Sequence, residues 1–383
     1  MEKNIYFEKI DELYEKYLKV WRDVSDIESP SEFKKGIDDC SDYFVKMADE
    51  FGFKVEKLPQ PLSGDPVVIT MNPDSNGRPI TFSGHIDTVY PVGSFKNYPT
   101  RIEGDKIYGP GVCDCKGGIV ATMLAMEALQ KCGFSARPVQ LSLQVDEEIG
   151  SRLSKKSTIN WICEKAKDSA AFINVEPTLG TMCIERKGGA TYKFKIHGVE
   201  AHASMCAERG SNAIIEAAHK MIELEKFKDK DGLTCSCNVI SGGTAANTVA
   251  GYCEFLCNVR FLNYEQDEFI NNKVEELKNT VFVEGCVTEV ERISYRLSMP
   301  IKERNINLAN NINAAFEKYG LKKREIKRGK GGSDAADATA FGLATVDSLG
   351  IPGGDIHSPN EFALVEDLKI CAKQIVAMIL EIN

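Results

Sequence analysis

Six side chains in this sequence could do chemistry together: His85, Asp114, Glu147, Glu148, Glu176 and His357. Two imidazoles with three of the four carboxylates form a mixed nitrogen and oxygen donor set, which suits zinc, with cobalt or manganese as substitutes. One carboxylate shared between two ions, typically ~3.5 to 4 Å apart, would make a two-metal hydrolytic site. Each of the six stands in or just after a strand-like run or a glycine-rich turn, and strand ends are where α/β proteins keep their chemistry. PITFSGHIDT (79 to 88) begins as an apolar run and ends in His85 and Asp87. VQLSLQV (139 to 145) runs straight into Asp146, Glu147 and Glu148, and AAFINV (170 to 175) ends on Glu176. Asp114 lies in GPGVCDCKGG and His357 in IPGGDIHSPNEF, where glycines allow a close backbone approach. In an extended strand Glu147 and Glu148 would point to opposite sides. One can ligate while the other faces substrate only if the strand has ended and turned, and Gly150 is consistent with such a turn.

The elements that must position these residues read as an alternation of strands and helices. Residues 6 to 52 carry two helical patterns, the second running from Pro30 to Phe51 and stopping at Gly52. Strand-like runs follow at Pro66 to Met71 and Pro79 to Gly84, then a helix from Gly117 that stops at Gly133. The alternation predicts a largely parallel sheet with right-handed crossovers. Near Gly188 the texture changes. Tyr192, Phe194 and Ile196 alternate with polar residues, Ser211 to Lys226 is an amphipathic helix, and two strands, a helix and a strand follow, to Leu297. That βαββαβ order is that of a ferredoxin-like sandwich, read as an insertion into the first domain. After Pro300 the α/β texture resumes with a helix from Ile306 to Tyr319.

The whole chain sets limits on this reading. Its 383 residues exceed one ordinary core, and a formal net charge of -9 argues against nucleic acid and anionic membrane as partners. The basic run Lys322 to Lys330 is read as a solvated loop, with binding of an anionic substrate as the sharper alternative. No run approaches the ~20 apolar residues of a membrane helix, and the N-terminal stretch lacks the apolar block of a secretory signal, so a cytoplasmic protein is expected. Thirteen cysteines without zinc-finger spacing are expected to be small buried hydrophobes rather than disulfides or a thiolate metal site.

Seven segments together, GHIDTV (84 to 89), GPGVCDCKGG (109 to 118), DEEIGS (146 to 151), EPT (176 to 178), GVEAHAS (198 to 204), GGSDA (331 to 335) and HSPNE (357 to 361), resemble the M20-type co-catalytic zinc metallopeptidase and aminoacylase family. That family includes glutamate carboxypeptidase, acetylornithine deacetylase and succinyl-diaminopimelate desuccinylase. The resemblance implies an α/β fold with a zinc-exopeptidase-like mixed sheet flanked by helices, residues 1–186 and 300–383. It also implies an inserted ferredoxin-like lid and dimerisation domain, residues 187–299. Two zinc ions per subunit are implied, one held by His85 and Glu176, the other by Glu148 and His357, with Asp114 between them. Asp87 would orient His85 through its other ring nitrogen, and Glu147 would be the general base. His202 would reach the partner subunit's active site and donate to the developing oxyanion, while Asn247 and Arg260 would contact substrate. Cys115 stands where the family more often has a non-thiol residue, and MCAERGSNAI replaces a proline-containing segment after His202.

The implied function is hydrolysis of an amide or peptide bond in a small carboxylate-bearing substrate. The wording around RIEGDKIYGPG, RKGG and GGSDAA is closest to the glutamate carboxypeptidase branch. An N-acyl amino acid deacylase, of the acetylornithine or desuccinyl type, would use the same ligands. A binding homologue that had lost turnover would be expected to lack a ligand or the base, and none is missing.

Overall fold

The computed structural model describes residues 4–94, 99–178, 180–329 and 331–383. Lys330, the last residue of the basic run, lies outside the described residues. The chain divides into two compact units, one made of Met1–Ile184, Ile301–Arg328 and Ser333–Asn383, the other of Glu185–Pro300 and Gly329–Gly332.

The first unit is built on a six-stranded sheet. Its order is Lys54–Lys57, Val67–Met71, Val139–Gln144, Ile80–His85, Ala171–Asn174 and Thr345–Val346. The last four run parallel, as the alternation of strands and helices predicts. The first two pair antiparallel, which makes the sheet mixed. The strands Val67–Met71 and Ile80–His85 are buried at every position, as expected where helices cover both faces. Along Ala171–Asn174 the period of two is visible in the packing. Ala171 and Ile173 join the main core, whereas Phe172 joins a smaller cluster with Ile159, Ile162 and Ala338.

On the main-core side, helix Lys116–Lys131 is buried from Lys116 to Leu129, against helices Ile5–Ser25 and Asp367–Glu381. Its apolar residues surround the axis, as burial on several sides requires. Asn4 caps the first helix by accepting the amides of Tyr6 and Phe7. The second helix begins at Lys34, not Pro30, and ends at Gly52 in the left-handed conformation at φ 71°. The residues before it do other work: Pro30 bridges to Thr88, and Ser29 accepts the Thr88 amide at 3.0 Å. A smaller sheet, Gly353–Gly354, Phe362–Leu364, Lys106–Tyr108 and Arg101–Glu103, was not foreseen. Its antiparallel pairing of Phe362 with Tyr108 brings the segment before residue 362 beside the segment after residue 108.

The second unit has the expected βαββαβ order. Strands Gly188–His197, Thr234–Gly242, Tyr252–Phe261 and Val287–Arg296 are all antiparallel, and in space the last lies beside the first, with the third and then the second beyond it. This is the ferredoxin-like arrangement. Helices Ala213–Leu224 and Tyr264–Asn279 cover a core that includes Phe194, Phe255, Phe261 and Ile270. Ten of the thirteen cysteines are buried and all are free thiols, in keeping with their reading as small hydrophobes.

Candidate active site

The carboxyl ends of three strands of the large sheet meet two loops. His85 is the last residue of its strand, and its parallel register with Gln144 sets the 145–148 segment beside it. Val175 donates its amide to the Ser83 carbonyl at 2.8 Å, which places Glu176 alongside. Two glycines make that approach possible, since a Cβ on Gly118 or Gly350 would lie 2.3 or 2.1 Å from the Val175 carbonyl oxygen. The small sheet delivers the other two residues, because pairing at Phe362 and Tyr108 draws the His357 and Asp114 loops together.

The two oxygens of Asp114 face different partners. Oδ1 lies 2.9 Å from His85 Nε2, and Oδ2 lies 3.3 Å from His357 Nε2. Glu176 approaches the same His85 nitrogen at 3.5 Å, and Glu148 approaches the same His357 nitrogen at 3.1 Å. His85, Asp114, Glu148 and Glu176 are almost wholly buried in their side chains, while His357 is half exposed and holds a left-handed backbone, φ 62°. The five residues expected to bind metal are therefore together, in two halves about Asp114.

Charge is concentrated here. Burial pushes the Glu148 carboxyl up to about 7 against the opposing His357, and pushes Glu176 well above the usual carboxylate range. Burial also raises Asp114, but its hydrogen bonds to His357 and His85 outweigh that and hold it low. Hydrogen bonds to Asp114 and Glu148 lift His357 to about 10. Buried carboxylates crowded about two imidazoles form a donor set that fits divalent zinc, cobalt or manganese.

The chain turns where Glu147 and Glu148 need it to. The strand stops at Gln144, Gly150 donates its amide to the Glu147 carbonyl at 2.7 Å, and Gly150 and Ser151 are both left-handed. Asp146 fixes this turn by accepting from the Ser154 amide and the Thr158 hydroxyl. Glu147 is buried beside Glu148, at 6% exposure. The carboxylate of Asp87 accepts the backbone amides of Glu147 at 3.2 Å and Glu148 at 3.1 Å, together with the Ser31 hydroxyl at 2.6 Å. Its contact with His85 Nδ1 is longer, 3.4 Å, and the nearer partner of that nitrogen is the Asp87 carbonyl at 3.0 Å. The Asp87 carboxylate thus grips the backbone of the two glutamates more closely than it does the imidazole.

Two residues line the site beyond those the sequence assigned to it. Glu361, 1% exposed, accepts the amides of Gly111, Cys113 and Asp114 and the Tyr90 hydroxyl, at 3.0 to 3.2 Å. It clamps the Asp114 loop to the His357 segment. The only sequence signal was an acid closing the HSPNE stretch. Cys115 is the second. Its thiol accepts the His85 amide at 3.1 Å and stands with His85 and Glu176, their donor atoms within 4.8 Å of one another. Cys113 turns elsewhere, towards the Ile351 carbonyl, so the two thiols do not share a target, but Cys115 does line the site.

In the second unit, His202 is exposed and caps a short turn, Ala203–Met205. Its Nδ1 accepts the Ser204 amide at 3.3 Å and meets the Ser204 hydroxyl at 2.8 Å. Asn247 is brought beside it, its carbonyl accepting the Ala203 amide at 2.8 Å. Arg260 is exposed on the strand Tyr252–Phe261 and donates to Asn258 at 3.2 Å.

Imidazoles and carboxylates converging at the ends of parallel strands, beside a buried acid free of regular structure, define a metallohydrolase. A model of Peptidase family M20/M25/M40 matches residues 81–381, and the chain belongs to that family. Its members hydrolyse peptide or amide bonds with the help of metal ions. Carboxypeptidase G2 from Pseudomonas sp. (strain RS-16) is 25% identical over 362 residues, covering 93% of this chain and 86% of that protein. The aminopeptidase PepT of Bacillus cereus ATCC 10987 shares the fold at a TM-score of 0.81 and 21% identity, covering 96% of this chain and 98% of that one. YxeP of Bacillus subtilis, described as a dinuclear metal binding peptidase from the M20 family, matches with a TM-score of 0.72 at 15% identity, covering 97% and 99%.

Proposed function

We propose that the chain is a di-zinc hydrolase of the glutamate carboxypeptidase type, acting on a small peptide or amide whose leaving amine carries a free carboxylate. The observation that supports this most is the division of Asp114, with one oxygen towards His85 and Glu176 and the other towards His357 and Glu148. The likeness to carboxypeptidase G2 over 93% of the chain supports the carboxypeptidase branch.

In this reading His85 and Glu176 hold one ion, Glu148 and His357 the other, and Asp114 both. Bound there, the ions would lower the pKa of a water towards ~7 and polarise the scissile carbonyl. The chain's own residues do the rest. Glu147, its backbone fixed by Asp87, takes the proton of the attacking water and hands it to the leaving amine, a contribution of ~10² to 10⁴-fold. Because His202 Nδ1 accepts the Ser204 amide, the ring proton belongs on Nε2, which suits donation to an oxyanion. We assign that donation to the active site of a partner subunit in a cytoplasmic homodimer formed through the second unit. Arg260 and Asn247 are assigned to the substrate, the guanidinium to its carboxylate.

A panel of dipeptides ending in Glu or Gly, run beside N-acetyl and N-succinyl amino acids, tests the reading. Preferred cleavage of C-terminal Glu, abolished by a chelator and restored by zinc or cobalt, is expected. Preferred cleavage of the N-acyl substrates would transfer the protein to the deacylase branch. Mixing His202→Ala with Glu147→Gln subunits should recover partial activity, and no recovery would refute action across subunits.

A further inference from the structure

Beside the metal-binding residues the first unit carries a cavity of about 510 Å³, lined by Pro30, Phe33, Val89, Pro91, Val92 and Ile149, with Glu148 as one wall. A volume of this size accommodates a large side chain, since ligand pockets run from ~300 to 1,000 Å³. Phe33, Val89 and Val92 are 37%, 39% and 55% exposed. Single exposed apolar side chains are ordinary, but three of them sharing a wall with a buried acidic residue of the site are not.

The walls are held in place. Pro30 bridges to Thr88, the Ser31 hydroxyl donates to Asp87, and the Tyr90 hydroxyl donates to the Ser358 carbonyl at 2.8 Å. Both sides of the cavity are thereby fixed to the segments that carry His85 and His357. Its polar content is small and of one sign. Besides Ser31 and Thr88 there are Glu148 and Glu32, the latter paired with Arg152 at 2.9 Å, and no cation lies among the described lining residues. A carboxylate placed there would find no cationic side chain among the described lining residues, while its apolar walls favour a hydrocarbon group.

We propose that this cavity is the subsite for the acyl half of the substrate, and that it selects an apolar or aromatic side chain on the carbonyl side of the scissile bond. The inference rests on the proposed function, in which the leaving amine carries the carboxylate: the described lining offers that carboxylate no cationic partner and offers an apolar group Pro30, Phe33, Val89, Val92 and Ile149, so the acyl half is assigned to it. The substrate class is then a peptide with an apolar penultimate residue before an acidic C-terminal one.

The test is calorimetric binding of leucine, phenylalanine and aspartate hydroxamates to the zinc-loaded protein, with turnover of Leu-Glu, Phe-Glu and Asp-Glu followed in parallel. Burial of a side chain of that size predicts roughly tenfold or greater preference for the leucine and phenylalanine compounds over aspartate. Val92→Asp and Val89→Asp, made in separate chains so that one misfolded variant leaves the other to report, should each erase the preference. Equal affinity for the three hydroxamates, or an unchanged preference in both variants, overturns the proposal. Preference in binding without turnover of any dipeptide would leave the subsite standing and remove the carboxypeptidase reading.

Discussion

Asp87→Asn separates two accounts of a residue that sits between His85, proposed as a metal ligand, and Glu147, proposed as the general base. Asn keeps the volume and one acceptor oxygen but replaces the other with a donor. In the native protein Oδ1 receives the Glu147 amide, and Oδ2 receives the Glu148 amide and the Ser31 hydroxyl. The Ser31 hydroxyl can reverse its role, but a backbone amide cannot, so one buried N–H loses its partner. A hydrogen bond to a charged group contributes ~1.5 to 3 kcal/mol. If about 2 kcal/mol of that is expressed in the placement of Glu147, kcat falls roughly 30-fold, at about 1.4 kcal/mol per factor of ten. His85 keeps its Nδ1 partner, because the Asp87 carbonyl at 3.0 Å is backbone and survives the substitution. Zinc content, measured by mass spectrometry after dialysis, should therefore stay at the wild-type level while kcat drops. Loss of zinc in step with activity would show that the carboxylate acts on His85 instead, and an unchanged kcat would refute both accounts.

Glu147→Gln should keep its zinc and lose ~10² to 10⁴-fold in kcat, and near-native turnover would remove it as the base. Glu361→Gln puts an amide NH₂ where two backbone amides or an amide and a hydroxyl now donate, so zinc affinity in a chelator competition should fall ~10- to 100-fold, as for other groups that hold a metal ligand in place. An unchanged affinity would make Glu361 a fold residue only. Tyr17 donates to the Met123 carbonyl and to Glu127, and burial, then the Glu127 charge, raise its phenol well above 10. The folded chain therefore keeps this proton where the unfolded chain has lost it. Its contribution is complete below the ordinary tyrosine value and is lost as pH rises above ~10, at about 1.4 kcal/mol per pH unit. Urea unfolding between pH 9 and 11 should show a slope shallower by that amount in Tyr17→Phe, and parallel slopes would contradict the assignment.

What the sequence made legible is what local pattern carries. His85, Glu147, Glu148 and Glu176 each follow an apolar run, and a run that ends in a ligand-capable residue can be read from its own few neighbours. The βαββαβ order of the second unit was legible for the same reason, since the period of side-chain burial changes from one element to the next. The hydrogen bonds of the Asp87 carboxylate to the Glu147 and Glu148 amides were not, because they depend on the parallel register of residues 80–85 with 139–144 and join positions about 60 apart. Glu361 is a stronger case, as the amides it accepts lie 247 to 250 positions away and leave no mark in any side chain. Cys115 was expected only as a buried thiol, because a thiolate site was taken to need both Cys113 and Cys115 turned to one ion; the two face different groups, and Cys115 lines the site without its neighbour. The late start of the second helix, at Lys34, also reflects distant contacts: Pro30 and Ser31 are engaged with Thr88 and Asp87.

The central claim is that Asp114 holds two ions at once. Anomalous scattering from crystals of the zinc-loaded protein tests it directly. The account predicts two peaks ~3.5 to 4 Å apart, with one Asp114 oxygen on each, His85 and Glu176 on the first and Glu148 and His357 on the second. A single peak, or two peaks with Asp114 bound to only one, would contradict it.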